Sequence, residues 1–294
     1  NNIAIGSGSL ASATNNLGNI ALGWESLNAT ANDGDRNIAV GYRAASAGDV
    51  SGDDNVLIGT NAGKNITSAT GNVAIGLNAM ALGVVTSISN IAIGELSGYD
   101  LTSGHRNIFL GVRAGTNATD NVNNIAIGYD AFMASADDAD ANIAIGLHAM
   151  KTGDVSGRSN TAIGYEALNR NISSNNNTAV GYHALKFNTA TANTACGMQA
   201  LYETSTGAQN SALGMQTLSS NTTGSNNTAS GYQALYTNTT GASNTAVGKN
   251  ALKANTTADD NVAIGEDALL VNTTGSKNVA VGNISLDANT TGYN

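Results

Sequence analysis

The chain has 294 residues, of which 11% are charged and 4% aromatic, with 35 glycines, one cysteine and no proline. So few charges and large side chains exclude a thick globular core and leave room only for a thin, regularly filled one. A net charge of −9 provides no basic surface for phosphates, which argues against nucleic acid and anionic membranes as partners.

The lone Cys196 rules out an internal disulfide, and no apolar run approaches the roughly 18 residues of a membrane-spanning helix. No signal-peptide pattern is visible, and a start at Asn1 without Met fits a processed product or a segment of a longer chain.

The first element, Asn2-Ile3-Ala4-Ile5-Gly6, returns along the whole chain. Its Gly recurs at 23, 41, 59, 76, 94, 111, 128, 146, 164, 181, 197, 214, 231, 248, 265 and 282, in steps of 16 to 18 residues. Four residues before each of these 17 glycines stands an Asn. Two before is Ala, except at Leu57 and Phe109, and one before is aliphatic, except at Cys196 and Ser230. Three after is always Ala, Ser or Thr; four after is Leu, Met or Phe in 13 copies; two after is polar in 14.

A fixed Gly marks a tight corner or a close backbone approach. A fixed Asn suits a turn, and stacked copies can form an amide ladder. The short β-branched segment between them predicts a strand. The residues one and three before the Gly are assigned to the core of each coil. The Ala column then presses against the opposite wall of a flat coil or, the preferred reading, against a neighbouring chain. From 161 to 245 the third residue before the Gly is Thr161, Thr178, Thr194, Ser211, Thr228 and Thr245, which suits a half-buried strand edge. The residues after the Gly are expected to turn a corner into a short second strand. The remainder of each unit is a polar loop, such as Asn32-Asp33-Gly34-Asp35 or Asn238-Thr239-Thr240-Gly241.

The predicted fold is all-β: a parallel β-roll (β-solenoid) of 17 coils of about 17 residues, a single continuous domain over 1–294. Residues 1–159 carry irregular, Asp-rich loops and 160–294 carry regular Asn-Thr-Ala-Val-Gly repeats. Each coil supplies few large core side chains to offset the entropy of ordering it, and no capping repeat is visible. A homotrimer would supply the missing burial.

The units Asn-Ile-Ala-Ile-Gly and Asn-Thr-Ala-Val-Gly-Tyr-His-Ala-Leu (177–185) resemble the head repeats of trimeric autotransporter adhesins. The longer form at 227–241 is similar to repeats of phage tail-fibre and tail-fibre-like proteins. The resemblance implies a trimeric, left-handed parallel β-roll in an extracellular attachment fibre. The adhesin unit is shorter than this one, and neither an anchor barrel nor a chaperone domain is present in the sequence.

Chemistry-bearing residues are sparse. His148 and His183 sit at the polar position two after the Gly and His105 in a loop, at no metal-ligand spacing, and read as solvated. Cys196 takes an aliphatic position and reads as a buried structural thiol. Asp33, Asp35, Asp53, Asp54, Asp137, Asp138, Asp140, Asp259 and Asp260 lie in turns that could hold calcium, although turns favour Asp anyway. Tyr42, Tyr129, Tyr165, Tyr182 and Tyr232 follow the corner Gly and read as packing residues, with a carbohydrate-stacking stripe as the alternative. Asn-X-Thr triplets would matter only where a glycosylation system meets the chain.

No catalytic, cofactor-binding or metal-ligating residue is assigned. The expectation is a non-enzymatic, extracellular fibre shaft or head, on a cell surface or virion, that mediates attachment. Its partners are other copies of itself and host or cell-surface glycans or proteins, bound by the irregular first half if by any one region. The alternatives are a viral tail-fibre segment whose binding tip is absent, and a ligand- or ice-binding solenoid. The last would use the Asn-Thr-Thr array at 221, 238, 255, 272 and 289.

Overall fold

The computed structural model describes residues 1–11, 15–28, 33–135, 139–152, 156–171 and 173–293. Among them are 17 three-residue strands and no helix, so none is long and apolar enough to cross a membrane. The chain forms two compact units, Asn1–Ser156 and Gly157–Asn294. The first holds nine strands, from β1 (Ile3–Ile5) to β9 (Ile143–Ile145), and the second eight, from β10 (Thr161–Ile163) to β17 (Val279–Val281). Within each unit consecutive strands pair in parallel and in register: Ala4 lies opposite Ala21 and Ala21 opposite Ala39, just as Ala162 faces Ala179 and Ala179 faces Ala195. Each unit is thus a parallel β-solenoid with one strand per repeat.

The Gly corner has the predicted cause. Gly23 sits at φ +133°, and a Cβ there would lie 2.4 Å from the Gly41 carbonyl oxygen of the next coil. No side chain fits between stacked corners, whatever its chemistry.

The Asn at the other end of the strand forms the expected amide ladder, and it is buried. Asn55 donates its backbone N–H (3.0 Å) and its Nδ2 (2.9 Å) to Oδ1 of Asn37 in the preceding coil. Its Nδ2 also donates to the Ala69 carbonyl of the following loop, at 2.8 Å. The arrangement repeats at Asn90, Asn107 and Asn124 and, in the second unit, at Asn210, Asn227, Asn244 and Asn261. Both the donors and the acceptor oxygen are satisfied, so a buried primary amide costs little here.

The two strand faces are the reverse of the sequence expectation. The Ala column faces inward and is buried, from Ala21 to Ala263. The aliphatic residues on either side point outward: Ile93 is 37% exposed and Leu213 57%. The reason is the width of the coil. Its interior takes one strand side chain plus the third and fourth residues after the Gly, as with the fully buried Ala179, Ala184 and Leu185. The large residue four after the Gly fills the space, so the strand residue opposite must be small.

Leu57 and Phe109, the two exceptions to the Ala rule, establish this opposition. Where the strand residue is large, the fourth residue after the Gly is Gly63 or Gly115. A Cβ on Gly63 would lie 2.7 Å from Leu57 Cδ2, and one on Gly115 would lie 2.6 Å from the Phe109 ring. Phe109 also reaches the preceding coil, where a Cβ on Gly98 would come within 3.1 Å of it. Core volume is conserved by exchange across the coil.

Among the described residues the expected second strand does not form, and only isolated parallel bridges such as Ile66–Val85 and Thr70–Ile88 lie outside the 17 strands. The residues two and four after the Gly are both left-handed, for example Glu25 (φ 48°) and Leu27 (φ 50°). This resolves why a polar and a large apolar residue stand two apart: no strand alternation applies to them. Each is held by a bond between coils. Arg43 N–H donates to the Trp24 carbonyl behind it (2.9 Å), and Leu27 N–H donates to the Ala44 carbonyl ahead (2.8 Å). Left-handed Leu costs energy locally, and the ladder of bonds holds it in place.

Candidate interaction surfaces

Three side-chain columns reach the surface of each unit. The first is the outward strand face. In the second unit it sets the hydroxyls of Thr178, Thr194, Ser211 and Thr228 beside Val180, Cys196, Leu213 and Ser230 at the next outward position. Cys196 lies on this face and is exposed, which corrects its reading as a buried thiol. It reaches solvent because its column faces out and its coil is filled by Ala195, Ala200 and Leu201. Cys196 and Ser230, both shorter than the usual aliphatic residue, flank Leu213 and leave a shallow hollow lined also by Thr194, Ser211 and Thr228.

The second column, two after the Gly, forms polar rungs between coils. Gln233 donates to Gln216 (2.9 Å), Gln216 to Gln199 (3.2 Å) and Asn250 to Asp267 (2.9 Å). Asp130 is the most enclosed of these residues. Its buried carboxylate meets Arg113 Nε (2.6 Å), Lys151 Nζ (2.8 Å) and His148 Nε2 (3.6 Å). His183 Nε2 lies 3.0 Å from the Glu166 carboxylate, which also holds Lys186 at 2.6 Å. This corrects the reading of the histidines as solvated: His105, His148 and His183 are all half-buried. The left-handed backbone lays this column along the coils instead of out into water. Burial, followed by the charge of Lys186, holds the His183 imidazole below its ordinary pKa, against the pull of Glu166.

The third column, directly after the Gly, is exposed and partly aromatic. Trp24 and Tyr42 stack at 4.9 Å with 12° between their planes, and Tyr165 and Tyr182 at 5.2 Å with 10°. Tyr42, Tyr129, Tyr165, Tyr182 and Tyr232 are 37% to 48% exposed and so are not core residues; Tyr165 and Tyr182 pack on each other, Tyr42 on Trp24, and Tyr129 against His148 and Arg113.

The acidic turns act as caps between coils. Six residues before the Gly in four repeats, a carboxylate accepts a backbone N–H from the preceding loop: Leu17 to Asp35 (2.7 Å), Asp35 to Asp53 (2.8 Å), Val122 to Asp140 (2.8 Å) and Ala242 to Asp259 (2.7 Å). Asp54 forms a two-point contact with Arg36 (2.6 and 3.0 Å), and the guanidinium holds that carboxylate below its usual pKa. Asp33 and Asp260 are exposed, and Asn32, Asp137 and Asp138 lie outside the described residues. Among the described residues, no three His, Cys, Asp or Glu side chains form a group that could hold a metal ion.

The Asn-Thr-Thr array divides by role. Its Asn residues form a second buried ladder, with Asn238 donating to Asn221 (2.9 Å) and Asn255 to Asn238 (2.8 Å). The first Thr turns its hydroxyl onto the next coil, as Thr239 does to the Thr256 carbonyl (3.0 Å). The second Thr of each triplet, at 223, 240, 257, 274 and 291, is exposed. Comparison of the chain with protein-family models and with curated proteins returns no match.

Proposed function

We propose that the chain is a segment of an extracellular attachment fibre, shaft or head, in which three copies lie with their outward strand faces together. One observation carries this reading: both units leave columns of aliphatic side chains uncovered along the sheet, including Ile58 and Ile93 in the first and Ile163, Leu213, Val247 and Ile264 in the second. Contiguous exposed apolar surface of this kind marks an interaction site. The resemblance of the repeats to adhesin heads and tail fibres supports three copies and a place on a cell surface or virion. The role is structural and adhesive, not catalytic, since the polar columns are spent on bonds between coils.

Sedimentation equilibrium of the purified chain tests this, with a trimer expected and dissociation on Ile93→Lys combined with Val247→Lys. A stable monomer overturns it. A second reading, a ligand- or ice-binding array, is favoured by the single file of exposed Thr223, Thr240, Thr257, Thr274 and Thr291. Thermal hysteresis in the wild-type chain that is lost on replacing these threonines would support it in place of the first.

A further inference from the structure

The strand face is aliphatic and hydroxylated, whereas the flank of the Gly164, Gly181 and Gly197 coils is aromatic and charged. Beyond the Tyr165–Tyr182 stack, Tyr182 meets His183 at 3.8 Å, His183 meets Tyr202 at 5.8 Å, and Tyr202 meets Phe187 edge-on at 5.1 Å. This is the largest group of touching rings among the described residues. It also coincides with the one 16-residue step in the chain, from Gly181 to Gly197.

Charges are interleaved with the rings. Lys186 Nζ lies 5.4 Å from the Phe187 ring and 6.0 Å from that of Tyr202, while its other contact is Glu166. Arg170 lies over Phe187 at 5.7 Å, is exposed, and forms no ion pair among the described residues.

A dry protein contact over this surface would strand several charges away from water. A sugar ring meets both demands: its C–H face stacks on an aromatic ring, and its hydroxyls bond to phenol, ammonium and carboxylate groups at the ring edges. The geometry points to an oligosaccharide-binding platform formed by Tyr165, Tyr182, His183, Lys186, Phe187 and Tyr202, with the unpaired Arg170 favouring glycans that carry an acidic sugar. This rests on the attachment reading and adds the place and the ligand class. The platform lies in the regular second half, not in the irregular first half that the sequence favoured.

The test is a printed array of neutral and acidic oligosaccharides probed with the full chain, followed by calorimetric titration of the glycans that bind. Tyr182→Ala and Phe187→Ala should each weaken binding about tenfold or more, corresponding to loss of a stacking contact. Tyr232→Ala, in the same column but outside the group, should retain full affinity. Arg170→Gln should weaken binding of acidic glycans only. Melting temperature and oligomeric state serve as folding controls, and the two aromatic variants stand in for each other if one fails to fold. The platform is overturned if no glycan on the array binds, or if Tyr182→Ala and Phe187→Ala bind as wild type. A trimer that holds cells yet is indifferent to both substitutions overturns the platform alone. A monomer that attaches to nothing overturns the attachment reading.

Discussion

Gly115 has no side chain because Phe109 occupies its place: any Cβ at 115 would lie 2.6 Å from the ring. Other coils carry Leu at this position and Ala at that of Phe109, as with Leu185 and Ala179. Gly115→Leu alone should destabilise by about 1–3 kcal/mol through overpacking, and Phe109→Ala alone by about 3–5 kcal/mol through a cavity. The double variant recreates the common repeat, with Leu in a left-handed conformation that Leu185 already adopts (φ 50°). It should be more stable than Phe109→Ala. Urea unfolding of all four proteins gives the coupling; additive effects would show that the two positions do not share one volume.

Asn107 stands in the middle of the first amide ladder. Its Oδ1 accepts both the backbone N–H (2.9 Å) and the Nδ2 (3.2 Å) of Asn124. Asn107→Ala strands those two buried donors and should cost about 2–3 kcal/mol. Asn107→Asp keeps the oxygen but buries an acid, so its loss should shrink as pH falls and the carboxyl protonates. Thermal melts at pH 4 and pH 7 check this, and a pH-independent loss would contradict it.

Both ends of each strand were legible in the sequence, because Asn and Gly are demanded by the backbone and recur without exception. The facing of the strand was not. Ile-Ala-Ile alternation looks the same whichever side is buried, and the usual preference for aliphatic cores chose wrongly. The correct signal was available in Leu57 with Gly63 and Phe109 with Gly115, where a large strand residue coincides with a vanished one six positions on. The left-handed turn had no compositional mark, since Leu, Met and Phe rarely adopt it. The aromatic flank was visible only as separate tyrosines, because Phe187 and Tyr202 occupy different positions of their repeats.

Exposed Cys196 reports on the outward strand face. If copies meet through it, mild copper-phenanthroline oxidation should give a covalent dimer on non-reducing gels, absent in Cys196→Ser and suppressed by Ile93→Lys with Val247→Lys. An equal yield from the dissociated variant would show that collision, not assembly, brings the thiols together.

His183 is kept neutral by burial, so its folded pKa lies below the unfolded value of about 6.5. Glu166, Lys186, Tyr165, Tyr182 and Tyr202 are the titratable groups around it. As pH falls, the unfolded chain takes up this proton first. The contribution is complete above about pH 6.5 and is lost as pH drops from there through the folded value. His183→Gln removes the effect, so its melting temperature should fall less between pH 8 and pH 5 than that of wild type. Parallel curves would exclude the linkage.

The hollow on either side of Leu213 has a consequence for alignment. Identical coils could slide past a facing copy by one whole repeat and meet the same surface again. Cys196 and Ser230 break that translational symmetry around a single protruding side chain. If copies meet through this face, one displaced by a step would set Leu213 against a different neighbour, so a single coil in a near-uniform ladder would act as an index mark for the second unit.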